Sequence, residues 1–155
     1  MTSLRSRSRV GTGEDDGQLL LLVLVYTVIA GLLVTVVVDL SKVFLYRRSL
    51  VAAADGAALS AANEPDLASV YRGGNRVLPL SDVGARAAVS RYESDAGLDT
   101  RFAGFRVAAV ETDGTVVRVR FEAVVHLPFA GLVAGPWRAG YPVHATARAE
   151  SPYGP

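Results

Sequence analysis

The two histidines are the residues whose chemistry is most open to a metal-binding or catalytic role, because the chain has no cysteine. His126 and His144 fall at polar positions of two alternating segments, and we expect these segments to pair with the two imidazoles opposite each other. Two imidazoles could begin a zinc site, but a usable site needs a fuller set of ligands. The nearby acids, Glu122 and Glu150, have basic partners in the expected pairing. The pattern therefore favours two solvated histidines and no bound metal.

The remaining residues form no catalytic constellation. The sequence lacks a GxSxG nucleophile motif, a phosphate-binding P-loop and an HExxH zinc motif. Gly11 and Gly13 lie in a polar N-terminal arm, without the strand and helix that phosphate binding requires. The formal net charge is +1 and the basic residues are scattered, which argues against a nucleic-acid partner. We expect no enzyme, no cofactor and no small-molecule substrate.

An uncharged apolar run extends from Leu19 to Val38. A helix of about 20 residues measures roughly 30 Å, which is the hydrocarbon thickness of a bilayer. Half of the residues of the chain are apolar (50%), more than a soluble domain of this size usually needs. The run predicts a transmembrane helix over residues 18–38, preceded by a polar arm, residues 1–17.

A cleaved secretory signal is the alternative interpretation of this run. It is disfavoured because a signal core is typically about 7–15 residues long, and because charged residues separate the run from the first alanines that could mark a cleavage site. Basic residues are equal in number on the two sides of the run: Arg5, Arg7, Arg9, Lys42, Arg47 and Arg48. Lys/Arg counting therefore leaves the orientation in the membrane open.

The helix is expected to continue beyond the apolar run as an extension over residues 39–63, because neither glycine nor proline interrupts the chain between Val38 and Gly56. Asn63 and Pro65 are expected to end it. An apolar stripe with helical spacing is expected on the extension. Its members are Leu40, Val43, Phe44, Arg47, Leu50, Val51, Ala54, Ala58 and Ala61.

Small residues dominate the end of this helix, in the segment LVAAADGAALSAA. Alanines recur there at four-residue steps in two rows: Ala54, Ala58 and Ala62, and Ala53, Ala57 and Ala61. Such rows let another backbone approach closely, which suits either a helix–sheet contact within the chain or a helix–helix assembly surface. The spacing favours the first interpretation. The single charge in the segment, Asp55, is expected to be solvated.

An α+β head is predicted for residues 64–155. After a loop over residues 64–79, Ser81 is expected to cap a second helix that Gly97 ends. Its expected apolar face is Val83, Ala87, Ala88, Val89 and Tyr92. Three alternating segments then predict a three-stranded antiparallel sheet covered by the two helices. Trp137, in the last long loop, is expected to join the core.

The turns and charges suggest registers for the strands. A three-residue loop at Thr112-Asp113-Gly114 would place Phe105 beside Phe121 and Val107 beside Val119, whereas a two-residue turn would bury Arg106. For the second and third strands, the expected register places Leu127 opposite Val143. It aligns two pairs of opposite charges on the wet face: Glu122 with Arg148, and Arg120 with Glu150.

The N-terminal half resembles the TadE/TadG-like proteins, minor pilin-like components of the Flp (tight-adherence) pilus machinery. The resemblance covers residues 17–62 well. It consists of a Gly-Gln pair before the span, an aspartate at its exit, a basic patch, and an alanine-rich segment with a central aspartate. These places are filled by Gly17, Gln18, Asp39, Arg47, Arg48, Asp55 and the alanines Ala54, Ala57, Ala58 and Ala61. Two positions depart from the pattern, Ser41 for a common glycine and Val51 for a common glutamine.

The resemblance implies a membrane-anchored structural subunit whose partners are the membrane and other pilin-like or secretion-platform subunits. It also implies that the arm is cytoplasmic and the head extracytoplasmic. Pilin-like relatives that a prepilin peptidase cleaves carry a glutamate five residues after the cleaved glycine; after Gly17 that place holds Leu22, so the uncleaved TadG-like type fits better. The alternative function is a single-span envelope protein whose head binds a ligand or the cell wall.

Overall fold

A long N-terminal helix, α1, runs without interruption from Gly13 to Ala62. The computed structural model describes residues 13–64, 80–129 and 140–152, with side chains from Gly17 onward. The expected continuous helix is confirmed, and it begins five residues before the predicted start. Asn63 closes the last turn by donating its N–H to the Leu59 carbonyl (3.1 Å). Pro65, the loop glycines that follow it and Trp137 lie outside the described residues.

Two short helices follow: α2, Asp82–Asp95, and α3, Leu98–Arg101. The expected cap of α2 is confirmed, since the Ser81 hydroxyl accepts the Gly84 N–H at 3.0 Å. Gly97 adopts the left-handed conformation (φ 57°) just after α2, as expected for a helix-ending glycine. The predicted apolar face was partly wrong. Val83 and Ala87 are exposed, and the buried residues are Ala85, Ala88 and Val89.

The buried residues of α2 follow the helical repeat more closely than the predicted ones. Ala85, Ala88, Val89 and the half-buried Tyr92 recur at i, i+3, i+4 and i+7. Val83 does not fit that series, although it is apolar and was therefore predicted to belong to the buried face. The helical spacing of these residues therefore determines which side of α2 packs against β1, and most of that side consists of alanine.

The three strands form an antiparallel sheet in the order β1-β2-β3, so the α+β prediction is confirmed. They are β1 (Arg106–Thr112), β2 (Val116–Val125) and β3 (Tyr141–Glu150). Alternate residues of β2 and β3 are buried, as the period of two predicted. The buried set is Val117, Val119, Phe121, Ala123, Val125, Val143, Ala145, Ala147 and Ala149.

The predicted register between β1 and β2 was wrong, although the expected contact between Phe105 and Phe121 is present, with ring centroids 5.0 Å apart. Val107 pairs with Phe121 and Thr112 with Val117, with a bulge between Val107 and Ala109 rather than at the turn. The reason is the Asp113 carboxylate, which accepts N–H groups from Thr115 (3.0 Å) and Val116 (2.8 Å) and so stabilises a longer connection. These hydrogen bonds hold the pKa of Asp113 below its usual value. Gly114 has a positive φ of 93°, but it lies in this longer connection.

The predicted register between β2 and β3 was also wrong. Phe121 lies opposite Ala145, and Glu122 lies opposite His144. An even shift along β3 leaves every side chain on its original face, so the alternation could not distinguish the two registers. The prediction depended on surface charge pairs, which are worth little. In the structure Glu122 forms its ion pair with Arg106 of the neighbouring β1 instead.

The core joins the second half of α1 to the inner face of the sheet. All six alanines of the two rows are buried, together with Leu50, Phe102 and Phe121. The structure divides between Val38 and Asp39 into two compact units, and the alanine rows belong to the second. Because α1 supplies part of this core, a fragment starting at residue 66 would expose apolar strand residues to water.

Candidate assembly surface

The apolar segment of α1 offers lipid a continuous hydrocarbon surface. Its large side chains are exposed from Leu19 to Val38, and none of the described residues covers them. The hydroxyls of Thr27 and Thr35 donate to the carbonyls of Val23 (2.8 Å) and Leu32 (2.7 Å) on the same helix. Their polarity is thereby satisfied within α1, as a membrane span requires. By length and composition α1 can cross a membrane.

Gly17 and Gln18, the first residues of the family pattern, lie exposed within α1 ahead of the apolar run. A side chain built at Gly17 would meet no neighbouring atom.

Asp39, predicted to mark the lipid exit, is half-buried and has a specific partner. Its carboxylate accepts the backbone N–H of Phe129 at 3.3 Å. The bond connects the start of the second unit to the segment that follows β2, ninety residues later in the chain. The aspartate at this place therefore holds a loop of the head as well as adding a charge beside the apolar run.

The two basic residues Arg47 and Arg48 are both exposed but lie on different sides of α1. Arg47 lines a shallow cleft with Val43, Tyr141 and His144. Tyr46 immediately precedes the two arginines and turns inward, and its hydroxyl donates to the Val124 carbonyl at 3.0 Å. Burial raises the pKa of Tyr46. The sequence did not predict this inward role of Tyr46, because the residue lies directly beside the two arginines of the basic patch.

The alanines at positions 54, 57, 58 and 61 are sealed inside the head, each with 0% exposure. The helix–sheet interpretation of the two rows is therefore the one that the structure shows, and this face of α1 is already covered by the chain itself. Gly56 extends the close contact: a Cβ built there would lie 2.7 Å from the Cζ of Tyr92. The small residues let α2 and the sheet approach the α1 backbone.

Asp55 lies on the opposite side of α1 and is exposed, as expected. It forms no ion pair or hydrogen bond with any residue that the structure describes. The expected solvation of Asp55 therefore agrees with its exposure in the described part of the chain.

The expected pairing of the two histidines was wrong. His144 lies on β3 opposite Glu122, whereas His126 follows the end of β2. Within residues 13–64, 80–129 and 140–152, no group of three or more His, Asp or Glu side chains could hold a metal ion. The larger clefts are open and lined by mixed side chains, such as the one between α2 and β1 that includes Arg86 and Glu111.

Comparison with known proteins finds a family match for one segment near the N-terminus. Residues 17–64 match the model of the Tad family, described as Flp pilus-assembly TadE/G-like. No curated protein and no solved structure matches the chain. The matched segment contains most of α1, with its exposed apolar run, its buried alanine rows and both aspartates. The resemblance to the TadE/TadG-like family is therefore confirmed over residues 17–64.

Proposed function

We propose that the chain is a membrane-anchored, pilin-like accessory subunit of a Flp/Tad-type pilus-assembly or secretion apparatus. The observation that carries this proposal is that the family match, residues 17–64, coincides with a single helix. From Leu19 to Val38 that helix exposes an uncharged and largely apolar surface, and its second part is built into a folded head. A helix of this kind can anchor the head in the membrane while it remains accessible to other subunits.

In the proposed arrangement residues 1–17 are a cytoplasmic arm, residues 18–38 span the membrane, and residues 39–63 extend the same helix outside it. The head, residues 64–155, is extracytoplasmic. The basic residues on the two sides of the span are balanced and favour neither orientation. The support for this orientation is therefore the family resemblance.

Orientation can be tested with single cysteines, because the natural chain has none. We expect a membrane-impermeant maleimide to label a Ser90→Cys variant in intact cells, since Ser90 is exposed on α2. A Ser6→Cys variant should be labelled only after the membrane is permeabilised. The reverse labelling pattern would show that the head faces the cytoplasm.

Membership of the apparatus can be tested by crosslinking in native membranes. A photoreactive amino acid at Leu24, which is 57% exposed, should capture pilin or secretion-platform proteins, identified by mass spectrometry. The same photoreactive amino acid at Val83, which is 80% exposed on α2, tests whether the head contacts these proteins as well. If neither position captures a pilus protein while the detergent-solubilised full chain binds wall polymer, the wall-binding alternative replaces the proposal.

A further inference from the structure

The described residues leave one side of α1 uncovered along the second compact unit. We define this outer face by its exposed residues Leu45, Arg48, Ala52, Asp55 and Leu59. It lies opposite the buried alanine rows, so the helix has one side packed in the head and one side open. Leu45 is 62% exposed and Leu59 is 57% exposed. A single exposed leucine is ordinary, but these two lie on the same side of the helix as the other three residues.

The spacing of the outer face is that of a helix-pairing seam. Its five residues are separated by alternating steps of three and four, which is the 3.5-residue period of coiled coils. Leu45, Ala52 and Leu59 occupy one position of the repeat, and Arg48 and Asp55 occupy the other. An apolar row beside a charged row is the pattern of helices that select partners by charge.

The residues that the structure describes do not neutralise the two charges of the outer face. Neither Arg48 nor Asp55 has an oppositely charged residue three or four positions away along α1. Neither forms an ion pair or hydrogen bond with any residue in the described ranges. Both charges are therefore available to an external helix.

A second copy of this chain fits the outer face poorly. An antiparallel copy would direct its apolar segment away from the membrane that holds the first copy. A parallel copy anchored at the same depth would set Arg48 against Arg48 and Asp55 against Asp55, and such like-charge contacts are repulsive. A copy shifted by seven residues would form one Arg48–Asp55 pair and leave the other two charges unmatched. The shift would also move its apolar segment by about 10 Å and place charged residues in the hydrocarbon.

We propose that the outer face docks a parallel helix of a different membrane-anchored protein, with an acidic side chain opposite Arg48 and a basic one opposite Asp55. The proposal rests on the membrane anchorage in the proposed function, which fixes the parallel direction. It moves the assembly surface from the alanine rows to the opposite side of α1. It also gives Asp55 a partner. Arg48 lies nearer the apolar run and Asp55 farther from it, so the docked helix must carry its acidic residue nearer the membrane than its basic residue.

A charge-exchanged copy of the full chain is a probe with the required chemistry. The Arg48→Asp/Asp55→Arg double variant presents opposite charges to the natural chain at both positions when the two are parallel and level. Each chain also carries Ala52→Cys, and the two are co-expressed in membranes with different tags and oxidised. We expect the natural–exchanged pair to form roughly fivefold more disulfide-linked dimer than either identical pair. A Ser90→Cys pair on α2 is the control and should show no preference.

Equal dimer yields for all three combinations, or a preference for the natural–natural pair, would overturn the proposal. A second exchange, Arg48→Glu/Asp55→Lys, guards against an effect of one substitution on folding and should give the same preference. In native membranes, crosslinking from Ala52 to its partner should fall at least fivefold in the exchanged variant. If that crosslink is unchanged while Leu24 still captures pilus proteins, the docking inference fails and the proposed function stands.

Discussion

Replacing Phe102 with alanine is expected to lower the free energy of unfolding of the head by about 3–5 kcal/mol. Phe102 is 1% exposed, between α3 and β1. The rings of Phe102 and Tyr46 of α1 pack edge to face, with their centroids 5.2 Å apart. The centroid of the Phe105 ring lies 6.3 Å from that of the Phe102 ring. The truncation removes the apolar area and leaves a cavity between three elements.

The measurement is urea unfolding of the full chain in detergent micelles, followed by near-ultraviolet circular dichroism of the aromatic cluster. Val83→Ala is the matched control, because Val83 is a large apolar residue with 80% exposure on α2. It should change the free energy of unfolding by no more than about 0.5 kcal/mol. Similar losses in the two variants would show that Phe102 does not anchor the core.

The features of the fold that could be predicted from the sequence are those with a strong local signal. The continuous helix through Val38 and Asp39 follows from the absence of helix-breaking residues in a long stretch of helix formers. The Ser81 cap and the left-handed Gly97 follow from the chemistry of helix ends. The alternation of β2 and β3 predicts which of their residues are buried, because only one face of the sheet meets the helices.

The strand registers could not be predicted because they depend on weak or hidden terms. For β2 and β3, the apolar alternation is unchanged by a shift of two or four residues, and alanines tolerate each alternative. For β1 and β2, the deciding contacts are the hydrogen bonds of one carboxylate, that of Asp113, to Thr115 and Val116. A turn that looks like a short Asp-Gly hairpin is lengthened by its own side chain.

The candidate surface was only partly predictable for a different reason. Sequence spacing shows that α1 has a small-residue side, but it does not show whether the chain's own sheet or a neighbour covers that side. Only the fold reveals that Ala54 and Ala58 are sealed, and that Leu45 and Leu59 remain outside. The Asp39 bond to Phe129 joins residues far apart in the chain, so no local pattern could indicate it.

The difference between the two sides of α1 leads to the second large expected effect. Replacing Ala58 with leucine should lower the free energy of unfolding by about 1–3 kcal/mol, because the added methyl groups have no space against the sheet. Ala58 is 0% exposed and belongs to the same core as the inward-facing strand residues. The same unfolding measurement on the full chain in micelles reads out the loss.

Ala52→Leu is the matched control for this substitution, since it makes the same chemical change six residues earlier on the same helix, at an exposed position. It should alter stability by no more than about 0.5 kcal/mol, because the leucine extends into solvent. Leucine has nearly the helix propensity of alanine, so any difference between the variants reports packing alone. Equal stability of the two variants would mean that the alanine rows are not sealed in solution, and would make them available again as an assembly surface.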